Sequence, residues 1–432
     1  MNIYRYEAAF GAADKTSRAM RQAIAQWFAL YYHREADADR DPCQRIAYTL
    51  VNKLTKTVFG EYVATAQDPV VQRYLKELDH KKHEALQLAL MGGECYLKPC
   101  PVGTGFSFAL IPRNNVLIFS RLADGTVTDM GTVERSQHDR YYYTLLERRT
   151  VDEKGYLTIQ NKLYRSLTDN SLGSPVSLRS HPGYAGLTEI YRYPQPVGSV
   201  GLVQVRTPMV NCVDGSSDGV AVYAPAVGLI RAIDRNEAQL AGEFERGQSR
   251  VIVSADMLDQ GQLKDNLFVG LDEDAQSVGL HIFSPALREQ SYLARKQEYL
   301  RNVESVVGLK RGMLSDANME ERTATEIAAS NADYSLTVMD FQSMWQKAAE
   351  QTVALCHTLA GLYNMEQAAD TAFNIDWGNG ILYDEDAAWN RYMEMVRSGM
   401  LKPEVALGWR FNMKTDTPED LEAIRKRFMP DI

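Results

Sequence analysis

The sequence contains no apolar run approaching the roughly 18 residues needed to cross a bilayer as a helix. Its first residues, Met1-Asn2-Ile3-Tyr4-Arg5, carry no signal-peptide core, so a soluble, intracellular product is expected. Cysteine is scarce. The five present, Cys43, Cys95, Cys100, Cys212 and Cys356, are odd in number and scattered, which argues for free thiols in a reducing compartment and against a disulfide framework. An excess of basic charge is also missing. Lys and Arg total 47 against 56 Asp and Glu, a net charge of −9 with a pI of about 5.4, which argues against a protein that grips nucleic acid over a strongly basic face. No G-x-x-x-x-G-K-[ST] occurs, so the chain has no recognisable nucleotide-hydrolysis loop.

What is present is enough apolar material for more than one core. With 432 residues, 45% of them hydrophobic, two to three domains are expected. The chain is organised around residues 226–364. Val227, Ile230, Ile233, Leu240 and Phe244 recur at helical spacing between Arg231, Asp234, Arg235, Glu237 and Glu243, which predicts one amphipathic rod. Short β-branched runs at 251–253, 267–269 and 280–283, separated by Gly261, Gly270 and Gly279, predict a small strand-bearing module. A second rod follows from Pro285 through Leu287, Leu293, Leu300, Val303 and Val307 to Gly308. Beyond a polar loop at 310–321, Thr323 and Glu326 fit a capping box. The helix they open can run to about residue 364, with Ile327, Leu336, Phe341, Trp345, Val353 and Leu359 as its apolar members.

Residues 1–92 read as helical, with helices predicted at 13–32, 44–59 and 69–91 and closed by Gly92-Gly93. From residue 94 the texture turns to β, with strands at 95–98, 106–112, 116–119, 127–133, 141–148 and 156–164. Turns at Asp124-Gly125 and 152–155, with no helices between, predict a single antiparallel meander. Residues 166–186 and 193–201 read as long surface loops. A last strand is predicted at 373–377 and three short helices at 385–400, 402–411 and 418–428.

Several fragments imitate chemical motifs. Gly215-Ser216-Ser217-Asp218-Gly219 fits the G-x-S-x-G nucleophile elbow, but the elbow needs alternating strands and helices, and a turn of small residues leading into a helix is preferred. Asp37, Asp39 and Asp41 open like a calcium loop, yet Pro42 stands where glycine is required and Tyr48 where a bidentate Glu belongs. His80, His83 and Glu84 are read as a charged helix face, and Cys95 and Cys100 as structural thiols, so no metal site is expected. Arg288, Arg295, Lys296, Arg301, Lys310 and Arg311 lie along the second rod and its exit, mixed with Glu289, Glu298 and Glu304. Taken alone that is an ordinary charged helix surface. The functional alternative is a set of weak phosphate contacts repeated around a ring, which would guide DNA without trapping it.

The order of elements resembles the portal proteins of tailed bacteriophages: helical block, β meander, long helix, small strand module, long helix, loop, kinkable long helix and short helical tail. Local wording agrees at 142–147 with 159–164, at 207–232 with Asn211, Asp214 and Gly219, at Glu243-Phe244 with Gly247 and Arg250, at 323–327, and at 373–384. The resemblance covers nearly the whole chain and implies an α+β, mainly helical fold with a portal-like architecture. It implies a wing over 1–225, stem helices at 226–247 and 285–309, and a clip at 248–284. A tunnel loop would span 310–322, a long wing helix and strand 323–380, and a crown 381–432.

It further implies a non-enzymatic ring, usually of twelve copies, in the virion at one capsid vertex, assembled in the bacterial cytoplasm without cofactor or membrane. Double-stranded DNA would be packaged and ejected through it. The expected partners are the terminase large subunit, then the head-completion adaptor, and the major capsid and scaffold proteins. Lys310, Arg311, Asp316, Asn318, Glu320, Glu321 and Arg322 would form the tunnel loop, with Arg288, Arg295, Lys296 and Arg301 on the stem. Arg250, Asp256, Lys264, Asp272 and Glu273 would belong to the docking clip. The rival expectations are a serine hydrolase using Ser217 and another capsid or tail structural protein.

Overall fold

The structure, a computed structural model, describes residues 3–34, 43–246, 250–254, 268–271, 281–283, 286–316, 324–378, 385–411, 413, 415 and 417–429. Its mixed helix-and-sheet architecture matches the α+β expectation, and three helices of the N-terminal part build the main core. Ser17 caps α2 (Arg18–Tyr32) by accepting from the Met20 N–H, and Asp68 with Pro69 opens α4 (Pro69–Gly92). Between them α3 (Ile46–Val58) buries Leu50, Val51 and Leu54. The expected first helix, 13–32, begins only at Arg18, because Ser17 is extended and caps it there; upstream, Gly11, at φ +71°, ends a separate helix α1 (Ile3–Phe10). Tyr6 and Phe10 of α1 pack on a sheet instead.

That N-terminal block is not wholly helical. Residues Val63–Ala66 form β1, antiparallel to β14 (Phe373–Asp376), the last strand among the described residues. The meander, too, is not one sheet. A 3-10 turn at Arg113–Asn115 divides it. On one side β2 (Glu94–Val102) pairs with β3 (Gly105–Pro112) and with β10 (Val203–Arg206). On the other, β4 (Val116–Arg121), β5 (Val127–His138), β6 (Tyr141–Val151) and β7 (Leu157–Ser166) run antiparallel in order. Alternation along β6 serves two faces: Leu146 joins Leu117, Phe119 and Val133 under α1, whereas Tyr143 and Leu145 meet Leu163, Leu178 and Tyr184. The last two residues come from the predicted surface loop at 166–186, which holds β8 (Ser174–Val176) and two 3-10 turns; β9 (Ile190–Arg192) follows that loop and pairs with β7.

The two rods form as α5 (Val227–Arg246) and α6 (Glu289–Val307). Pairs Glu243 with Arg288, Glu237 with Lys296 and Asn236 with Tyr292 show them running antiparallel. They are buried at one end only. Ile230, Ile233, Leu300, Val303 and Val307 join the main core, while Phe244, Leu287 and Leu293, also predicted as apolar face, stand exposed. Between the rods, β11 (Arg250–Ser254) pairs parallel with β12 (Phe268–Leu271) and antiparallel with β13 (His281–Phe283).

The long helix α7 (Ala324–Leu362) is a single uninterrupted α-helix of 39 residues, so Thr323, the predicted cap, lies just outside the described residues. Val338, Phe341, Trp345, Val353 and Cys356 bury on the main core, with Trp345 edge-on to Phe59 at 5.2 Å. Leu336, expected on that face, is exposed because it falls off the phase of these residues. The tail forms α8 (Glu385–Arg397), α9 (Pro403–Arg410) and α10 (Pro418–Phe428), the last opened by a Thr417–Asp420 capping box.

Candidate functional site

The rod pair and the loop leaving it carry most of the site residues expected from the sequence that lie among the described residues. Residues 288 and 295 are seven apart, two helical turns, so both point the same way from α6. They line a groove of about 510 Å³ with Arg235 of α5, Asn236, Tyr292 and Tyr299. Both α6 cations are held. Arg288 makes a bidentate pair with Glu243 (Nε to Oε1 3.0 Å, Nη2 to Oε2 2.7 Å), and that bonding raises its pKa. The Arg295 guanidinium sits 4.5 Å from the Tyr299 ring centroid.

The other two predicted rod cations do not join them. Lys296 turns toward Glu237 at 2.7 Å and donates to Gln44 Oε1 at 3.0 Å, binding the rods to the helical block. Arg301, six residues beyond Arg295, lies about 120° away around the helix axis. Arg235 is the member that sequence reasoning left among the polar residues of its rod. The available signal was its place on α5 one turn from Ile230 and Arg231, outside the apolar stripe.

The loop after α6 begins as a built turn. Gly308, at φ +75°, ends the helix, and the Leu309 N–H returns to Glu304 O at 2.8 Å. Met313 N–H then bonds Lys310 O at 3.2 Å across Gly312 at φ +89°, the geometry of a type II turn with glycine at its third position. Lys310 and Arg311 are exposed on this turn, and the Asp316 N–H is tied to Gln297 Oε1 at 2.8 Å. Asn318, Glu320, Glu321 and Arg322 lie outside the described residues, as do Asp256, Lys264, Asp272 and Glu273. Arg250 opens β11 opposite Phe283.

The motif imitations resolve structurally. No parallel strands underlie the 215–219 turn, whose neighbouring sheets are antiparallel. Asn211 Nδ2 donates to Asp214, Ser216 and the Asp218 carbonyl, and buried Asp218 takes Arg121 at 2.5 Å and Arg113 at 3.3 Å. Ser217 is half-buried, with its side chain near Gly125 of the β4–β5 turn. Asp37, Asp39 and Asp41 lie outside the described residues. His83 packs edge-on to Phe59, and burial lowers its pKa. Burial pushes the Cys95 thiol up to about 12. Among the described residues no three His, Cys, Asp or Glu are grouped to hold a metal ion, and no helix is long and apolar enough to cross a membrane.

Against known families, the model of the phage portal protein, SPP1 Gp6-like, matches residues 116–427. The chain belongs to this phage portal family. The matched stretch takes in the six-stranded sheet, both rods of the portal chain, the loop turn, α7 and the tail. No curated protein matches it. The solved structures that the portal chain is similar to include three. One is the neck of a native gene transfer agent (GTA) particle computed with C12 symmetry, at TM-score 0.46 and 11% identity over 89% of this chain and 91% of that one. The second is the neck of an empty GTA particle computed with C6 symmetry, at TM-score 0.44 and 11% identity over 92% and 95%. The third is the virion of the native GTA particle, at TM-score 0.42 and 11% identity over 87% and 89%.

Proposed function

We propose that copies of this portal chain close into a ring of twelve at one capsid vertex, forming the channel through which double-stranded DNA enters and leaves. One observation carries the ring: the rods are buried at one end and leave Phe244, Leu287 and Leu293 exposed at the other. Rods of this kind bury their outer apolar side chains when a neighbour packs head-to-tail beside them, and such heterologous contacts close into a ring. In this reading α5 and α6 are the stem, the 250–283 strands the clip, the turn at 308–316 the base of the tunnel loop, and α8–α10 the crown. The clip docks the terminase large subunit during packaging and the head-completion adaptor afterwards, and the rim meets the major capsid and scaffold proteins. The portal itself carries no ATP hydrolysis; its role is passage. Lys310 and Arg311 make weak phosphate contacts, each modest and repeated in every copy, which favours sliding over capture.

Negative-stain electron microscopy of the purified protein tests the ring: top views are expected to show about a dozen subunits around a central hole, as a cyclic heterologous assembly requires. Particles that stay monomeric and bind neither motor nor adaptor would overturn it, and a ring-free capsid or tail component would then be the better reading. Charge reversal at Lys310 and Arg311 is expected to impair packaging or retention of DNA with ring assembly intact. Loss of assembly in that variant would make the loop a structural element.

A further inference from the structure

Glu304 is an acidic side chain in an apolar position. It lies on α6 between Leu300, Val303 and Val307 and is completely buried. A buried carboxylate is costly unless paired or fully hydrogen-bonded. Its partners among the described residues are all N–H and O–H donors of one segment: Leu314 N–H at 2.5 Å, Ser315 N–H and Oγ–H at 2.8 Å each, and Gly312 N–H at 3.3 Å. The Glu304 backbone carbonyl takes the Leu309 N–H at 2.8 Å as well. Main chain and side chain of one residue therefore grip both ends of residues 309–315.

Two further ties bear on the same turn. Lys53 Nζ of α3 donates to the Met313 carbonyl, and Gln297 Oε1 accepts from the Asp316 N–H. Gly308 is packed so closely on α7 that a Cβ there would stand 2.5 Å from Thr337 Oγ1. Four residues from three helices, Glu304, Gln297, Lys53 and Thr337, converge on the nine residues 308–316. The only strongly charged groups this turn holds out to solvent between its two positive-φ glycines are Lys310 and Arg311.

We infer that Glu304 is a positioning residue for this cation pair: its buried carboxylate fixes the turn that places Lys310 and Arg311 toward passing phosphates. The inference rests on the portal reading for its functional half and on geometry for the rest. Nothing in the bonding needs a ligand, since the anion is fully occupied by the turn it holds.

The test uses the full chain and its assembled ring. In Glu304→Gln one oxygen becomes an N–H₂ facing N–H donors, so amide exchange at Leu314 and Ser315 is expected to rise by about tenfold or more, as loss of a charge-assisted hydrogen bond implies. DNA retention by filled particles is expected to fall several-fold, with rings still formed. The decisive arm is Lys310→Ser/Arg311→Ser: in that background Glu304→Gln should cause no further loss of retention, because residues acting through one another are non-additive. Additive losses, or unchanged retention with the turn's amides deprotected, would overturn the inference. Should Glu304→Gln fail to assemble, Lys53→Met with Gln297→Ala loosens the same turn from outside and is judged on the same cycle. If wild-type rings do not form, the portal reading fails first, and the anchor stands or falls on whether Glu304→Gln exposes the Leu314 and Ser315 amides.

Discussion

Replacing Arg113 by methionine removes the cation at the centre of the portal chain's most buried ionic network. Arg113 is 2% exposed, and its Nε lies 2.5 Å from Oε1 of Glu94, which is fully buried. Its Nη1 donates to Val116 O at 3.0 Å, and its Nη2 to Thr16 Oγ1 at 2.8 Å and to Asp218 Oδ1 at 3.3 Å. Four segments meet on one guanidinium: the α1–α2 linker, β2, the start of β4 and the 211–219 turn. Burial alone would lower the Arg113 pKa, but Glu94, Tyr96 and Asp218 outweigh it and keep the group charged. Methionine fills most of the volume and leaves Glu94 with no cation, while Asp218 keeps Arg121. Breaking a buried pair in this way costs about 3–5 kcal/mol. For a cooperative unit of about 150–250 residues that corresponds to a fall in Tm of roughly 6–20 °C. Thermal and urea unfolding of wild type, Arg113→Met, Glu94→Gln and the double variant would measure it. The double variant, with neither charge left, is expected to recover most of the loss. A single variant within about 0.5 kcal/mol of wild type, or a double variant as unstable as the sum of the singles, would refute the orphaned-charge reasoning.

Two other outcomes follow from the same part of the molecule. Gly93 holds φ +85°, and a Cβ there would stand 2.3 Å from the Gly219 backbone, so Gly93→Ala is expected to cost about 3 kcal/mol or more. Unfolding midpoints check this, and a near-neutral variant would show that the crossing can open. Glu147 is expected to govern part of the acid limb of stability. Burial alone would raise its pKa, but Arg149 at 2.6 Å and Lys98 at 2.7 Å outweigh that and lower it to about 2. A depressed carboxyl pKa stabilises the fold above its ordinary 4.5 and loses that contribution as pH falls toward 2, here about 3 kcal/mol in all. Glu147→Gln should flatten the pH dependence of unfolding between about 5 and 2. An unchanged slope would assign it to other carboxyls.

Local chemistry was legible where it was self-contained. Helix α10 starts as predicted because Thr417, Pro418 and Asp420 supply its cap within four residues, and the 152–155 turn closes because Asp152 accepts from Lys154 and Tyr156 N–H groups nearby. What escaped depends on partners distant in sequence. Strand β1 is four residues with alternating half-exposure, and only β14 makes it a strand. The meander looks continuous in sequence because Arg113–Asn115 is too short a break to change its texture. Arg113 gave no signal in the sequence, because its partners Glu94 and Asp218 are distant along the chain. Glu304 is the instructive failure in the candidate site. Counted among the charges of a solvated rod, it stands in phase with Leu300, Val303 and Val307, and that phase was the available signal. Leu287, Leu293, Phe244 and Leu336 err in the opposite direction, apolar residues whose burial this single chain does not supply.

The unbroken course of α7 makes it a gauge. Its 39 residues span about 58 Å at 1.5 Å each. Its fourteenth residue, Thr337, stands against the turn after α6, and its C-terminal end runs toward the segment that pairs with β1. Separation and rotational phase between these stations are counted out in residues. One residue inserted between Val338 and Phe341 would advance the rest by about 1.5 Å and turn it by about 100°, taking Trp345 away from Phe59. Length can change there only in steps that restore phase, about 7 or 11 residues. The exposed turns at 152–155 and 166–173 answer to no such count, so the portal chain has places where it can drift in length and one long helix where it cannot.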